Sequence, residues 1–182
     1  MPRIFRPLAL AAVFGSAMAL GGCVFSRHAV GNTAVPQPAK SVELSSYLGR
    51  WFELARYEQR FQKNCEGVTA DYAQRADGKI SVLNRCRKRD GTIKEANGKA
   101  KVVDAATGAK LKVSFFGPFF GDYWVLDHAE DYSWSIVGEP SGRYLWLLAR
   151  EASPGTVRLD ALIARAKALG YDTSMLRITS QP

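Results

Sequence analysis

The side chains of this sequence that could do covalent or metal chemistry are three cysteines and two histidines. The cysteines are Cys23, Cys65 and Cys86, and the histidines are His28 and His128. The sequence contains no G-x-S-x-G, no H-E-x-x-H and no phosphate-binding glycine loop, and His128 has no matched nucleophile. Cys65 and Cys86 stand 21 positions apart and, with these histidines, make a poor metal-ligand set. We therefore expect a protein that is not an enzyme and that needs no cofactor or metal.

Cys23 ends a segment that has the features of an export signal. Two arginines precede a 14-residue apolar run over 7–20, and Gly21 and Gly22 separate this run from the cysteine. The run is shorter than the roughly 20 residues that a membrane-spanning helix needs. Small residues directly before a cysteine resemble the lipobox of bacterial lipoproteins. In that family the thiol receives a diacylglycerol, the chain is cut before the cysteine, and the new amine is acylated, palmitate being the expected acyl group.

This resemblance implies a signal peptide over residues 1–22 and a lipidated mature N-terminus at Cys23. The next residue is Val24 rather than aspartate. By resemblance to the lipoprotein family, that favours anchoring in the cell outer membrane, with the protein facing the periplasm. The alternative is ordinary secretion with cleavage after residues 17–19, Ala-Met-Ala.

If the chain is exported, the other two cysteines are expected to pair with each other. If Cys23 carries lipid, Cys65 and Cys86 remain in an oxidising compartment, where a disulfide is expected. The closed loop would contribute about 3 kcal/mol of stability through chain entropy. Counting outward from a turn at residues 76–77 misses this pairing by two positions, so a bulge or a diagonal link is needed.

The length and charge of the mature chain suit one domain near an anionic surface. Removing residues 1–22 leaves 160 of the 182 residues, and it leaves 23 lysines and arginines against 17 carboxylates. The resulting net charge of +6 suits contact with anionic lipid headgroups. The basic residues are scattered apart from a dense run at 85–89, which we interpret as a solvated strand end or a lipid contact. No nucleic-acid partner is expected.

Short strands are the elements that must position these residues. Residues 24–40 lack amphipathic periodicity and carry prolines, so we expect a flexible tether over 23–40 and a domain over 41–182. Alternating apolar and polar residues between turn signals predict the strands. They are 68–72, 80–83, 99–103, 111–116, 123–127, 134–137, 144–149 and 176–179.

One helix is predicted late in the chain. Ser153 would cap it, Pro154 would occupy its first turn, and Gly170 would end it. Seven or eight strands with one late helix indicate an all-β protein built as a closed barrel with the helix packed outside. The apolar stripe of the helix consists of Leu159, Leu162, Ile163, Ala166 and Leu169.

Three segments in order resemble the motifs of the lipocalin family, and in particular the bacterial outer-membrane lipocalins related to apolipoprotein D. They are 48–57, 131–138 and 144–150, and residues 113–119 strengthen the match. The resemblance implies an eight-stranded up-and-down antiparallel β-barrel with one C-terminal α-helix outside. It also implies that Arg150, the last residue of the third motif, packs against Trp51 of the first motif. This contact is expected to support the fold rather than to bind the ligand. The motif residues are Gly49, Trp51, Asp131, Tyr132 and Arg150.

The resemblance further implies an apolar cavity inside the barrel. If Arg150 points inward, period-2 alternation sends every second preceding side chain the same way. Similar counting groups Trp134 with Ile136, and Phe115 with other apolar residues. Each could simply fill a packed core, but the set favours a cavity because the family fold leaves one. The ligand-lining candidates are Phe115, Trp134, Tyr144, Trp146 and Leu148.

The function implied by the resemblance is that of an outer-membrane lipoprotein that binds a fatty acid or lysophospholipid in its barrel. The role would be lipid storage or transport in envelope maintenance under stress. The alternatives are a structural envelope lipoprotein without a ligand, and a carrier of another hydrophobe such as haem or a pigment. The family includes dimers, so a homodimer stays open. Residues 115–120 could line a cavity mouth, contact a second subunit or face the membrane.

Overall fold

The structure, a computed structural model, describes residues 29–182. The predicted signal peptide and Cys23 lie outside the described residues. Within residues 29–182 no helix has the length and apolar character needed to cross a membrane. The elements are helices α1 (Leu44–Tyr47) and α2 (Thr156–Ala168) and strands β1 (Gly49–Tyr57), β2 (Glu66–Gln74), β3 (Ile80–Arg87), β4 (Ile93–Val102), β5 (Lys110–Phe116), β6 (Phe119–His128), β7 (Trp134–Gly138), β8 (Leu145–Ala149) and β9 (Leu176–Ile178).

Strands β1 to β8 form the closed barrel that the sequence predicted. Each strand pairs antiparallel with the next, and β1 pairs with both β2 and β8, which closes the sheet. β9 adds an extra strand beside β1. The eight-stranded up-and-down antiparallel barrel is therefore confirmed, as is a single C-terminal helix outside it.

The connections between the strands alternate between two ends because neighbouring strands run in opposite directions. We define the open end by the connections 58–65, 88–92, 117–118 and 139–144. The closed end contains α1 and the connections 75–79, 103–109 and 129–133. An up-and-down barrel requires this arrangement, in which short connections join antiparallel strands at alternate ends.

Two apolar layers hold the barrel together. One lies inside its closed half and includes Trp51, Tyr72, Ile80 and Leu111. The other lies between the outer barrel wall and α2. Strands β1, β6, β7 and β8 contribute residues to both layers, as period-2 side-chain direction allows, whereas β2 to β5 contribute only to the inner layer.

Helix α2 begins later than predicted. Its N-cap is Gly155, without a side-chain cap, so the roles predicted for Ser153 and Pro154 are wrong. The start is set by packing, because the buried Leu162 and Ala166 fix which face of the helix lies against the barrel. Gly170 ends the helix as predicted, with a φ of 90° in the left-handed region.

The N-terminal segment differs from the predicted flexible tether. The backbone N–H groups of Gly31 and Asn32 donate to Gly142 O at 2.9 and 3.2 Å, and the Asn32 side chain is buried. Further along, Ala39 N donates to Leu126 O at 3.2 Å. Residues 29–40 thus run along the outer wall from the open end to the closed end. Composition alone could not show that these backbone donors find acceptors on the barrel.

The predicted disulfide joins Cys65 to Cys86, with their Cα atoms 5.2 Å apart. The register between β2 and β3 shifts between Glu66 and Thr69. This bulge reduces the offset by one position. Because Glu66 still pairs with Arg87, the disulfide remains a diagonal link between Cys65, just before β2, and Cys86 in β3. Both cysteines are buried, together with Val68.

We predict that the double variant Cys65→Ser/Cys86→Ser loses about 3 kcal/mol of unfolding free energy, because the unfolded chain regains the entropy that the bond removes. Urea unfolding of the protein purified without reductant measures this loss. The wild-type protein with reductant is the control and should show the same decrease. Peptide mapping without reduction that finds both thiols free would contradict the assignment.

Candidate functional site

A cavity of about 570 Å³ occupies the open half of the barrel. This volume is within the range of roughly 300–1,000 Å³ that is usual for small-molecule sites. Its wall is mostly apolar and aromatic. The apolar lining residues are Phe61, Val68, Ala70, Tyr72, Val82, Val113, Phe115, Phe116, Phe119, Phe120, Tyr123, Tyr144, Trp146 and Leu148.

Four of the five predicted lining residues lie in this wall. They are Phe115, Tyr144, Trp146 and Leu148. Tyr144 stacks on Trp146 with 5.7 Å between ring centroids, and Phe61 stacks on Tyr144 at 6.4 Å. The three rings form an aromatic row from the rim into the cavity. The structure thus places Tyr144, Trp146 and Leu148, which precede Arg150 at intervals of two residues, together in the cavity wall.

Trp134 is the exception, since it lies outside the barrel. It packs in the layer under α2 and borders an outer cleft with Leu162 and Arg165. The register explains the error. Trp134 pairs with Ala149, and directly opposed residues share a face of the sheet. Ala149 lies between two inward positions, so both side chains point outward.

Arg150 and Trp51 close the other end. The guanidinium carbon of Arg150 lies 3.8 Å from the centre of the Trp51 ring. Its nitrogens donate to the carbonyl oxygens of Ser46, Leu48 and Arg50 at 2.8–2.9 Å. Trp51 Nε1 donates to Tyr47 O at 2.9 Å. The pair thus fixes α1 as a plug, on the far side of the barrel from the mouth.

Gly49 lets the chain turn from α1 into β1 beside this plug. Its φ of 94° lies in the left-handed region, which favours glycine. A Cβ atom there would lie 3.4 Å from Arg150 Nη1. The glycine of the first motif therefore permits both the turn and the close approach of the guanidinium.

The second motif shapes the turn between β6 and β7. Asp131 Oδ1 accepts from Ser133 N at 2.9 Å, and Tyr132 adopts a φ of 56°. The Tyr132 hydroxyl accepts from Glu43 N at 2.8 Å, just ahead of α1. Asp131 and Tyr132 thus belong to the closed end, as Gly49, Trp51 and Arg150 do.

His128 has a structural environment. Its ring stacks on Tyr132 with 4.4 Å between centroids. Its two ring nitrogens lie 2.8 and 3.1 Å from the carbonyl oxygens of Ala129 and Ser41. The residue is buried at the end of β6. Within residues 29–182 no group of three His, Cys, Asp or Glu side chains is placed to hold a metal ion.

Tyrosine hydroxyls form the floor between the cavity and the plug. The hydroxyls of Tyr72 and Tyr47 each lie 3.0 Å from that of Tyr123, and Tyr47 also lies 3.1 Å from Ser135 Oγ. Burial raises the pKa of Tyr47 to about 12, and it raises the pKa of Tyr72 and of Tyr123 above the ordinary value. The floor is therefore neutral at physiological pH.

A buried ion pair beside the cavity was missed by sequence reasoning. Arg56 Nη1 donates to Glu53 Oε1 at 2.6 Å, and both side chains are almost fully buried. Residues three apart on a regular strand face opposite sides, but the bulge between Glu53 and Ala55 brings these two together. Thr179 Oγ1 donates to the same carboxylate at 2.6 Å. The sequence signal that could have indicated this pair was a glutamate and an arginine on either side of the apolar residues Leu54 and Ala55.

Gln62 links this ion pair to the cavity wall. It donates to Glu53 Oε2 at 2.7 Å and accepts from Trp146 Nε1 at 2.9 Å. Arg56 also donates to the carbonyl oxygens of Gln62 and Cys65 at 3.1 and 3.2 Å. The network therefore holds the connection 58–65 in place over the open end.

The charged side chains in the cavity lining are acidic. The polar lining residues include Glu53, Asn84 and Glu139, and the lining drawn from residues 29–182 includes no lysine or arginine. The basic residues of the open end stand in the flanking connections. They are Arg60, Lys63, Lys88, Arg89 and Arg143.

Comparisons with known proteins agree with this architecture. A family model described as a lipocalin-like domain matches residues 42–181. The chain is 42% identical over 164 residues to the outer membrane lipoprotein Blc of Vibrio cholerae, which covers 89% of this chain and 92% of that relative. It is 30% identical over 182 residues to apolipoprotein D of Macaca fascicularis, covering 95% of this chain and 92% of that relative.

A solved structure shows the same barrel. Insecticyanin from the tobacco hornworm Manduca sexta matches with a TM-score of 0.66 over 83% of this chain and 88% of that chain. The two sequences are 20% identical, so this likeness shows the fold alone.

We predict that Arg150→Ala lowers the unfolding free energy by about 3 kcal/mol, because it removes several charged hydrogen bonds and the stacking on Trp51. Thermal and urea unfolding measure the change. Arg50→Ala is the matched control. Its exposed guanidinium pairs with Asp71 at 2.8 Å, and its loss should cost less than about 1 kcal/mol. Weakened ligand binding by Arg150→Ala with unchanged stability would show that Arg150 acts on the ligand instead.

Proposed function

This chain belongs to the lipocalin family, and from that premise we propose that it is an outer-membrane lipoprotein that holds a fatty acid or lysophospholipid in its barrel. The proposed role is lipid storage or transport during envelope maintenance under stress. The observation that supports it best is the aromatic and aliphatic cavity, which opens at one end and is plugged at the other.

An acyl chain fits the physical character of this cavity. Each methylene that leaves water for an apolar wall contributes about 0.8 kcal/mol. The row of Phe61, Tyr144 and Trp146 gives the chain a continuous apolar path inward from the rim. The neutral tyrosine floor limits how far the acyl chain can enter the cavity. The tyrosine hydroxyls are already hydrogen-bonded to one another and gain no favourable interaction with the terminal methyl group.

The head of the ligand would remain at the open end. A phosphate or carboxylate would be repelled by Glu139 in the wall, whereas the charge of Glu53 is compensated by Arg56. It would find the cations of the open end in the connections outside the cavity lining. A lysophospholipid suits this arrangement, since its acyl chain can fill the cavity while its phosphate reaches Arg60, Lys63 or Arg143.

The proposed location rests on Cys23 and on a relative. The lipobox-like sequence before Cys23 supports acylation of its thiol and amine. A protein 42% identical to this chain is called an outer membrane lipoprotein. We therefore propose that the mature chain is anchored in the outer membrane by its N-terminal lipid and that its barrel faces the periplasm.

We predict saturable binding of lysophospholipid by the mature chain carrying Cys23→Ser. Tryptophan fluorescence and calorimetry measure the affinity, and mass spectrometry identifies the lipid extracted from natively purified protein. Trp146→Arg should weaken binding at least tenfold because it places a charge in the path of the acyl chain. Trp146→Phe keeps an apolar wall, and Trp134→Phe alters a residue outside the barrel, so both should bind nearly as the wild type does. Absence of saturable binding by folded, delipidated protein would favour a structural lipoprotein without a ligand.

We predict that Cys23 is the acylated N-terminus. The intact mass of the purified protein should show the loss of residues 1–22 together with added acyl groups, because cleavage follows modification of the thiol. Cys23→Ser should leave the membrane fraction, with Cys65→Ser/Cys86→Ser as the control that keeps the anchor. Full membrane retention of Cys23→Ser would contradict the proposal.

A further inference from the structure

Exposed aromatic side chains gather at the open end. Within residues 29–182, the phenylalanines with more than a third of their surface exposed are Phe61, Phe116, Phe119 and Phe120, and all four belong to this end. Phe116 and Phe119 are 79% and 77% exposed and flank the tight turn between β5 and β6. An apolar cluster of this kind, standing away from the barrel, marks an interaction surface.

The place where the described chain begins fixes the orientation of this surface. Gly31 and Asn32 are held on Gly142, which belongs to an open-end connection, and Gly31 O accepts from Asp172 N at 2.8 Å. Residue 29 stands six positions after Cys23, and six steps of the chain can span at most about 21 Å. Strands of nine or ten residues, tilted by about 40° to the barrel axis, make the wall about 23–25 Å high. An anchor at Cys23 therefore cannot reach around the barrel to a membrane that lies beyond the closed end.

Charge also distinguishes the two ends. The open-end connections contain five lysines and arginines against three carboxylates, whereas the closed-end connections contain two against four. An anionic surface thus attracts the open end and repels the closed one. Aromatic side chains beside cations are also the composition that suits the headgroup region of a bilayer.

We propose that the open end docks on the surface of an anionic bilayer, with Phe116 and Phe119 inserted among the lipids and the cavity mouth facing the leaflet. The docked orientation follows from the proposed lipid anchor, while the affinity of the rim for lipid follows from the described residues alone. In this position the aromatic row from Phe61 to Trp146 continues the apolar phase of the leaflet into the barrel. An acyl chain passes between membrane and cavity without crossing water.

Quenching by brominated lipids tests the docked orientation. The full-length protein, lipidated at Cys23, is reconstituted into vesicles of phosphatidylethanolamine and phosphatidylglycerol that carry brominated acyl chains. A tryptophan introduced by Phe116→Trp should be quenched well beyond the background of the four native tryptophans. The matched control is Val157→Trp on α2, where the native side chain is 84% exposed, and it should add an unquenched signal. Equal quenching of the two variants, or none for Phe116→Trp, overturns the proposal.

Partitioning of unlipidated protein tests the rim itself. The mature chain with Cys23→Ser should bind the same vesicles more weakly in higher salt and more weakly still when phosphatidylcholine replaces the anionic lipid. Adding Phe116→Ser/Phe119→Ser should reduce partitioning at least about tenfold, whereas Val157→Ser should leave it unchanged. Wild-type partitioning by the double variant overturns the proposal.

Lysophospholipid binding by the unlipidated chain with its native rim, carrying Cys23→Ser alone, separates this inference from the proposed function. Retained binding with no membrane contact at the rim overturns docking and leaves the lipid-binding role intact. Sedimentation could also reveal a wild-type dimer that Phe116→Ser/Phe119→Ser dissociates, without any vesicle binding. That result would identify the rim as an interface between two copies of the chain and would overturn docking on the membrane.

Discussion

The contact between Arg150 and Trp51 is the interaction on which the rest of the structure depends. A barrel of eight strands has two ends, and it can hold an acyl chain only if one end is sealed. The guanidinium lies over the indole and binds three carbonyl oxygens around α1, so a helix of four residues becomes a firm plug. With that end sealed, the interior of the barrel has two parts. The half near the closed end is packed with side chains, and the half near the open end contains the cavity.

Much of the fold could be predicted because period-2 alternation is a local property of the sequence. Seven of the eight barrel strands and the inward direction of Leu148 and Trp146 followed from it. Strand β1 was not among the strands predicted from alternation, and the eight-stranded up-and-down order came from the family resemblance. Trp134 was misplaced because alternation fixes which residues share a face but not which face turns inward. That choice depends on the register with Ala149 in the neighbouring strand, which spacing within one strand does not contain.

The features that sequence reasoning could not supply depend on partners far along the chain. The Glu53–Arg56 pair requires a bulge in β1 and a threonine more than a hundred residues away. A buried pair of charges is costly to desolvate, so it depends on such partners, and among the side-chain nitrogens of Arg56 only Nε has none. Residues 29–40 posed the same problem. Their composition is that of a linker, yet Asn32 is buried because Gly142 O and Leu169 O accept its backbone and side-chain donors.

The two ends of the barrel differ in chemistry as well as in shape, and the segment 29–40 connects them. It begins beside Gly142 at the open end and delivers the chain to α1 at the closed end, so the plug and the start of the domain lie a full strand apart. A lipid on Cys23 would therefore hold the open end, and not the plugged end, near the membrane. If the open end docks as proposed, the sealed end stays clear of the lipids while the aromatic end meets them. Sealing the barrel would then be the task of the motif residues at one end, and contact with lipid that of the exposed phenylalanines at the other.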